Sequence, residues 1–154
     1  MAINLRSFPK SILAVLTTCV ALVGAPGLAH ADSPVLAGTL TTNQVECPTL
    51  CTTGVMTGGL AGRLDWVMDT MTPTDNPDVF LYTGTNTVTT ASGTLAGTDH
   101  GIWNIVTGEF VDYTNFSLET GAYRKKRGSL SITGVFDPVA GQGHSNYFSV
   151  LVRF

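Results

Sequence analysis

The sequence predicts an all-β domain built as an antiparallel meander. Three observations carry that expectation. Thr and Val recur from Leu50 onward, and Gly or Pro punctuates the chain at short intervals. Beyond residue 31 no segment sustains a helical period of apolar residues. Several segments instead alternate apolar and polar residues, the pattern of a sheet with one face buried and one face wet.

In chain order, residues 1–31 read as a secretory signal peptide. Arg6 and Lys10 form a charged head, 12–23 is mainly apolar, and Ala29-His30-Ala31 supplies small residues at the peptidase positions. The apolar run is shorter than the roughly 20 residues that span a bilayer, and Gly24, Pro26 and Gly27 interrupt it. No transmembrane span is therefore expected in the mature chain. Cys19 raises a lipoprotein reading, but Thr18 precedes it where a lipobox has a small residue. The mature chain is expected to start at Asp32, in a secreted or periplasmic setting.

Residues 32–49 are polar, contain Pro and Gly, and read as a flexible leader. The domain itself is expected over 50–154. Leu64, Trp66 and Met68 share one strand face, opposite Arg63, Asp65 and Asp69. The segment TPTDNPD, 72–78, carries two prolines and reads as a loop. Strands follow at 79–90, 93–105 and 109–118, separated by the turn signals Ser92-Gly93 and Thr107-Gly108. Leu130, Ile132, Gly134 and Phe136 face away from Ser129, Ser131 and Thr133. After the turn Ala140-Gly141-Gln142-Gly143, Phe148, Val150, Val152 and Phe154 alternate with Ser149, Leu151 and Arg153, which again implies one buried and one wet face. Leu64, Trp66, Met68, Leu130, Ile132 and Phe136 are expected inside. A barrel or a sandwich would remove the sheet edges.

Charge and cysteine content narrow the function classes. The chain has 8 Lys and Arg against 11 Asp and Glu. Loss of Arg6 and Lys10 leaves six against eleven, a net charge of about −5. Such a domain lacks the basic face that nucleic acid requires. Cys47 and Cys51, spaced C-P-T-L-C, predict a local disulfide in an exported protein. Zinc would need further Cys or His ligands, and His100 and His144 show no ligand spacing, so neither metal nor cofactor is expected.

A family resemblance enters at Ser92–Phe110, S-G-T-L-A-G-T-D-H-G-I-W-N-I-V-T-G-E-F. It continues through Thr120-Gly121-Ala122-Tyr123 and Gly128–Asp137, G-S-L-S-I-T-G-V-F-D. These hairpins resemble the allene oxide cyclase barrel-like superfamily, which dirigent proteins also resemble. The resemblance covers 51–136 and implies a single antiparallel β-barrel of about eight strands with a central cavity. Arg124-Lys125-Lys126-Arg127 departs from the small residues usual in that turn. The catalytic motifs of the plant cyclases have no counterpart here, so no catalytic residue is carried over.

Few side chains point to chemistry. His100 follows Asp99 on a strand, and adjacent residues face opposite ways, so the two cannot form a relay with each other. His100 is the weak candidate acid or base, weighed against a plain surface histidine. His144, beside a turn, offers less. Trp66, Tyr82 and Trp103, with Tyr147, are rings able to line an apolar pocket or simply fill a core. Asp65, Asp69, Glu109 and Asp112 read as solubilising charge. Arg124–Arg127 reads as a solvated hairpin tip, with an anionic surface as the functional alternative. The terminal aromatic Phe154 suggests an outer-membrane barrel, but 83–90 and 93–105 are too rich in Thr and Gly for a lipid-facing band.

The leading expectation is an exported barrel that binds a small apolar ligand or a partner protein. The alternatives are a cyclase- or isomerase-like enzyme working in the barrel, and a structural or surface-interaction protein without a cavity. A pocket of roughly 300 Å³ or more would favour the first two.

Overall fold

The computed structural model describes residues 35–153, so the signal-peptide reading of 1–31, and Phe154, lie outside the described residues. Eight strands follow in order: β1 Val35–Val45, β2 Cys51–Met56, β3 Gly62–Pro73, β4 Val79–Thr90, β5 Gly93–Asn104, β6 Glu109–Glu119, β7 Lys126–Asp137 and β8 Gln142–Arg153. Each pairs antiparallel with the next, and β8 returns to β1, closing the barrel. Closure leaves no open edge.

The strands predicted at 79–90, 93–105 and 109–118 correspond to β4, β5 and β6 within a residue at their ends. The six residues expected inside all face inward; Leu64 and Leu130 are buried, while Trp66 is half-buried. Two expectations need correction. The supposed leader is largely β1, whose partners are β2 on one side and β8 on the other. Only Leu36, Gly38, Leu40 and Thr42 of β1 turn inward, too sparse an apolar set to announce a strand. In β8 the apolar set lies outside: Phe148 is 52% exposed, whereas Ser149 and Leu151 are buried. The pairing Leu130↔Ser149 puts Ser149 on the inner row, and its hydroxyl donates to Ser129 O at 2.7 Å, which satisfies the buried oxygen.

Two one-turn 3-10 segments close the end of the barrel at the β2–β3 and β6–β7 connections. Gly58–Leu60 seats the fully buried Leu60, whose N–H donates to the Tyr147 hydroxyl at 2.8 Å. Gly121–Tyr123 seats Tyr123, whose hydroxyl bonds Thr90 Oγ1 at 2.9 Å. The opposite end carries the β1–β2, β3–β4, β5–β6 and β7–β8 connections, and there the interior is less full. Outside, β4 presents Leu81 and then Thr83, Thr85, Thr87 and Thr89 in succession, and Leu81 pairs with the exposed Ile102, itself beside the exposed Val111. No helix among the described residues is long and apolar enough to cross a membrane.

Candidate functional site

Two glycines make the site possible. Gly84 on β4 faces Asp99 on β5, and Gly101 on β5 faces Tyr82 on β4. A Cβ at Gly84 would lie 2.7 Å from both Asp99 Oδ1 and Trp66 Nε1, and one at Gly101 would overlap the Tyr82 ring. Their lack of a Cβ lets Trp66, Tyr82 and Asp99 reach across the interior. Trp66 Nε1–H donates to Asp99 Oδ2 at 2.8 Å. The Tyr82 hydroxyl donates to Asp112 Oδ2 at 3.1 Å, and the Thr114 hydroxyl to Asp112 Oδ1 at 3.3 Å. Asn86 Nδ2–H in turn donates to Thr114 Oγ1 at 2.6 Å.

Asp99 and Asp112 are only 2% and 4% exposed. They sit diagonally on neighbouring strands, since Asp99 pairs with Thr114 and Gly101 with Asp112. Burial pushes the Asp112 carboxyl up to about 9, helped by its hydrogen bond to Asp99 and by that neighbour's charge; Tyr82 and Thr114 pull the other way. Burial, then the two carboxyls, also push the Tyr82 phenol upward. At neutral pH Asp112 therefore keeps its proton. Asp99 Oδ1 is buried without a hydrogen-bond partner among the described residues. The arrangement is two buried carboxyls on neighbouring strands inside an apolar barrel, Asp112 holding its proton.

Above this pair lies a cavity of about 60 Å³, reaching solvent at the less filled end. Trp66, Tyr82, Trp103, Phe110 and Phe136 are its rings, and Thr42, Thr52, Asn86 and Asp112 are its polar residues. Trp66 meets Tyr82 edge-on with centroids 5.6 Å apart, and Trp103 meets Phe136 at 5.9 Å. Two of its lining residues have a buried atom with no partner among the described residues: Trp103 Nε1, a donor, and Asn86 Oδ1, an acceptor. The cavity falls below the roughly 300 Å³ set out above, so its size does not favour the apolar-ligand or cyclase expectation over the structural one. At about 15 Å³ per water site it holds a few waters or one compact group.

The Cys47–Cys51 disulfide shapes the rim. Its short loop folds over β3, with Thr49 Oγ1 donating to Met68 O and Met68 N–H to Leu50 O, both at 2.9 Å. Leu50 thereby becomes part of the pocket wall. Non-reducing mass spectrometry is expected to find neither Cys47 nor Cys51 alkylated; two reactive thiols would refute the bond. Among the described residues no three of His, Cys, Asp and Glu come together as a metal site.

The structure places Trp66, Tyr82 and Trp103 on the pocket wall. It removes His100, which is exposed on the outer row Thr83–His100–Tyr113, with its ring 5.6 Å from Tyr113. The strand alternation that turns His100 out turns Asp99 in. Asp112 is likewise buried rather than solubilising. The missed signal was parity: Asp99 shares the phase of Leu95 and Trp103, and Asp112 that of Phe110 and Phe116. Asn86, Phe136 and Leu50 carried no such signal as site residues. No family model, curated protein or solved structure matches the chain.

Proposed function

We propose that the barrel binds a small molecule end-on, seating one compact group in the aromatic pocket. The observation that carries this reading is an aromatic-walled cavity lined by the buried carboxyl of Asp112 and by Asn86 and Trp103, each of which has a buried polar atom without a partner. A few polar residues in an otherwise apolar cavity fix a ligand's orientation. The small volume selects short ligands, or the end of a longer one. The Cys47–Cys51 bond supports an extracellular or periplasmic setting.

Trp66 and Trp103 are the two tryptophans of the chain, and both line the pocket, so intrinsic fluorescence reports on it directly. Short-chain alcohols, ketones and amines should change that fluorescence saturably, and Trp66→Phe should weaken binding. A flat response across the panel would leave the structural role as the better reading.

A second reading shares the site. Asp112 lines the cavity while holding a proton, as a general acid must. A cyclase- or isomerase-like reaction in the barrel is the alternative that goes with the allene oxide cyclase resemblance, and a protonated Asp112 would let it be acid-assisted. On that reading Asp112→Asn abolishes turnover and spares binding.

A further inference from the structure

We infer that the group entering the pocket is cationic: an alkylammonium head, drawn in by an acidic rim, enclosed by aromatic rings and received by carboxyl and amide oxygens. This rests on the ligand-binding reading above and names the ligand's chemical class.

Three independent observations converge. The first is charge segregation along the barrel axis. At the pocket end stand Glu46, Asp75, Asp78, Glu109 and Asp137, all exposed. The connections there, 46–50, 74–78, 105–108 and 138–141, contain no Lys or Arg. All six Lys and Arg of the described residues lie toward the closed end. Arg63 is at the start of β3, Arg124 and Lys125 precede β7, Lys126 and Arg127 begin it, and Arg153 ends β8. Arg63 is paired with Asp65 at 2.7 Å. An opening rimmed by one sign of charge raises the local concentration of the opposite sign.

The second observation is the wall. Trp66, Tyr82, Trp103, Phe110 and Phe136 surround a space of head-group size. Ring faces attract cations, and more strongly once water is excluded. The third is the floor. Asn86 is 1% exposed and its Oδ1 has no donor. Asp112 presents its carboxyl to the same cavity. Asp99 lies buried diagonally across the strands from Asp112, so a cation at the floor would meet two carboxyls and no Lys or Arg. A carboxylate ligand would meet repulsion at both the rim and the floor.

The test uses the full mature chain and three probes of similar length: butylammonium, 1-butanol and butyrate, each titrated against tryptophan fluorescence. Butylammonium should bind about thirtyfold more tightly than 1-butanol, the factor a desolvated cation–π contact supplies, and butyrate should not bind. Asp99→Asn combined with Asp112→Asn, which removes both carboxyls, should erase the preference for butylammonium while 1-butanol still binds, whereas Asp112→Asn alone should keep it. Asp75→Asn with Asp78→Asn, in an exposed loop, should slow butylammonium association severalfold at low salt and not that of 1-butanol. Equal or tighter binding of 1-butanol to the parent overturns the cationic class and leaves the ligand-binding reading standing. Silence from all three probes removes both.

Discussion

Ile132→Asp should leave no cooperative folding transition at neutral pH. Ile132 is 4% exposed on β7 and pairs across the sheet with Asp112 on β6 and Tyr147 on β8. The new carboxyl would therefore face an existing buried carboxyl pair. Three costs add. Removal of the isoleucine side chain forfeits about 2–5 kcal/mol of packing. An ionised Asp at that depth has no cation to pair with, since the six described Lys and Arg lie toward the closed end, and burying it costs several kcal/mol more. Repulsion from the pair works in the same direction. Domains of this size hold roughly 5–15 kcal/mol in total. Thr133→Asp is the control: one residue on, Thr133 points outward and is exposed, so its change should stay within about 0.5 kcal/mol. Urea denaturation followed by circular dichroism reads both variants. A parent-like midpoint for Ile132→Asp would mean that the inward register of β7 is wrong.

That contrast between neighbouring residues also explains what the sequence could reveal. The spans of β4, β5 and β6 were legible because Ser92-Gly93 and Thr107-Gly108 mark tight turns between Thr- and Val-rich runs. The phase of β3 and β7 was legible because large apolar residues occupy every inward position from Leu64 to Met68, and Leu130, Ile132 and Phe136 flank Gly134. The phase of β8 was not, because its outer residues are more apolar than Ser145 and Ser149 on the inner row. The same rule that equates apolar with interior hid the site. Asp99, Asp112, Asn86 and Thr114 are interior because they bond to one another or to Trp66 and Tyr82 across strands far apart in sequence. Such pairings appear only once register is fixed. Glycines at 84 and 101 were visible as letters, but their role as space for Trp66 and Tyr82 depends on which residue lies opposite.

Asp112→Asn should make the protein more stable as pH rises, by an amount that grows toward pH 9. In the folded barrel, burial holds the Asp112 carboxyl up at about 9. In the unfolded chain it titrates near 3.9. Between those values the native state keeps a proton that the unfolded state has released. Stability is then highest below the unfolded value and falls as pH rises through the window, by roughly 1.4 kcal/mol per pH unit from this group. Above about 9 the loss is complete. The titratable groups facing Asp112 are Tyr82 on β4 and Asp99 on β5; Tyr147 on β8 instead directs its hydroxyl to Thr57 O and Leu60 N. Asparagine preserves the shape. Its Nδ2–H can donate to Asp99 Oδ1, and its oxygen can accept from Tyr82 and Thr114, yet it has no proton to lose. Parent and variant should therefore unfold alike near pH 4 and diverge in favour of the variant by several kcal/mol near pH 9. Midpoints in urea measured from pH 4 to pH 9.5 give the difference curve. A flat difference, or one that favours the parent at alkaline pH, would show that Asp112 does not hold its proton in the folded barrel.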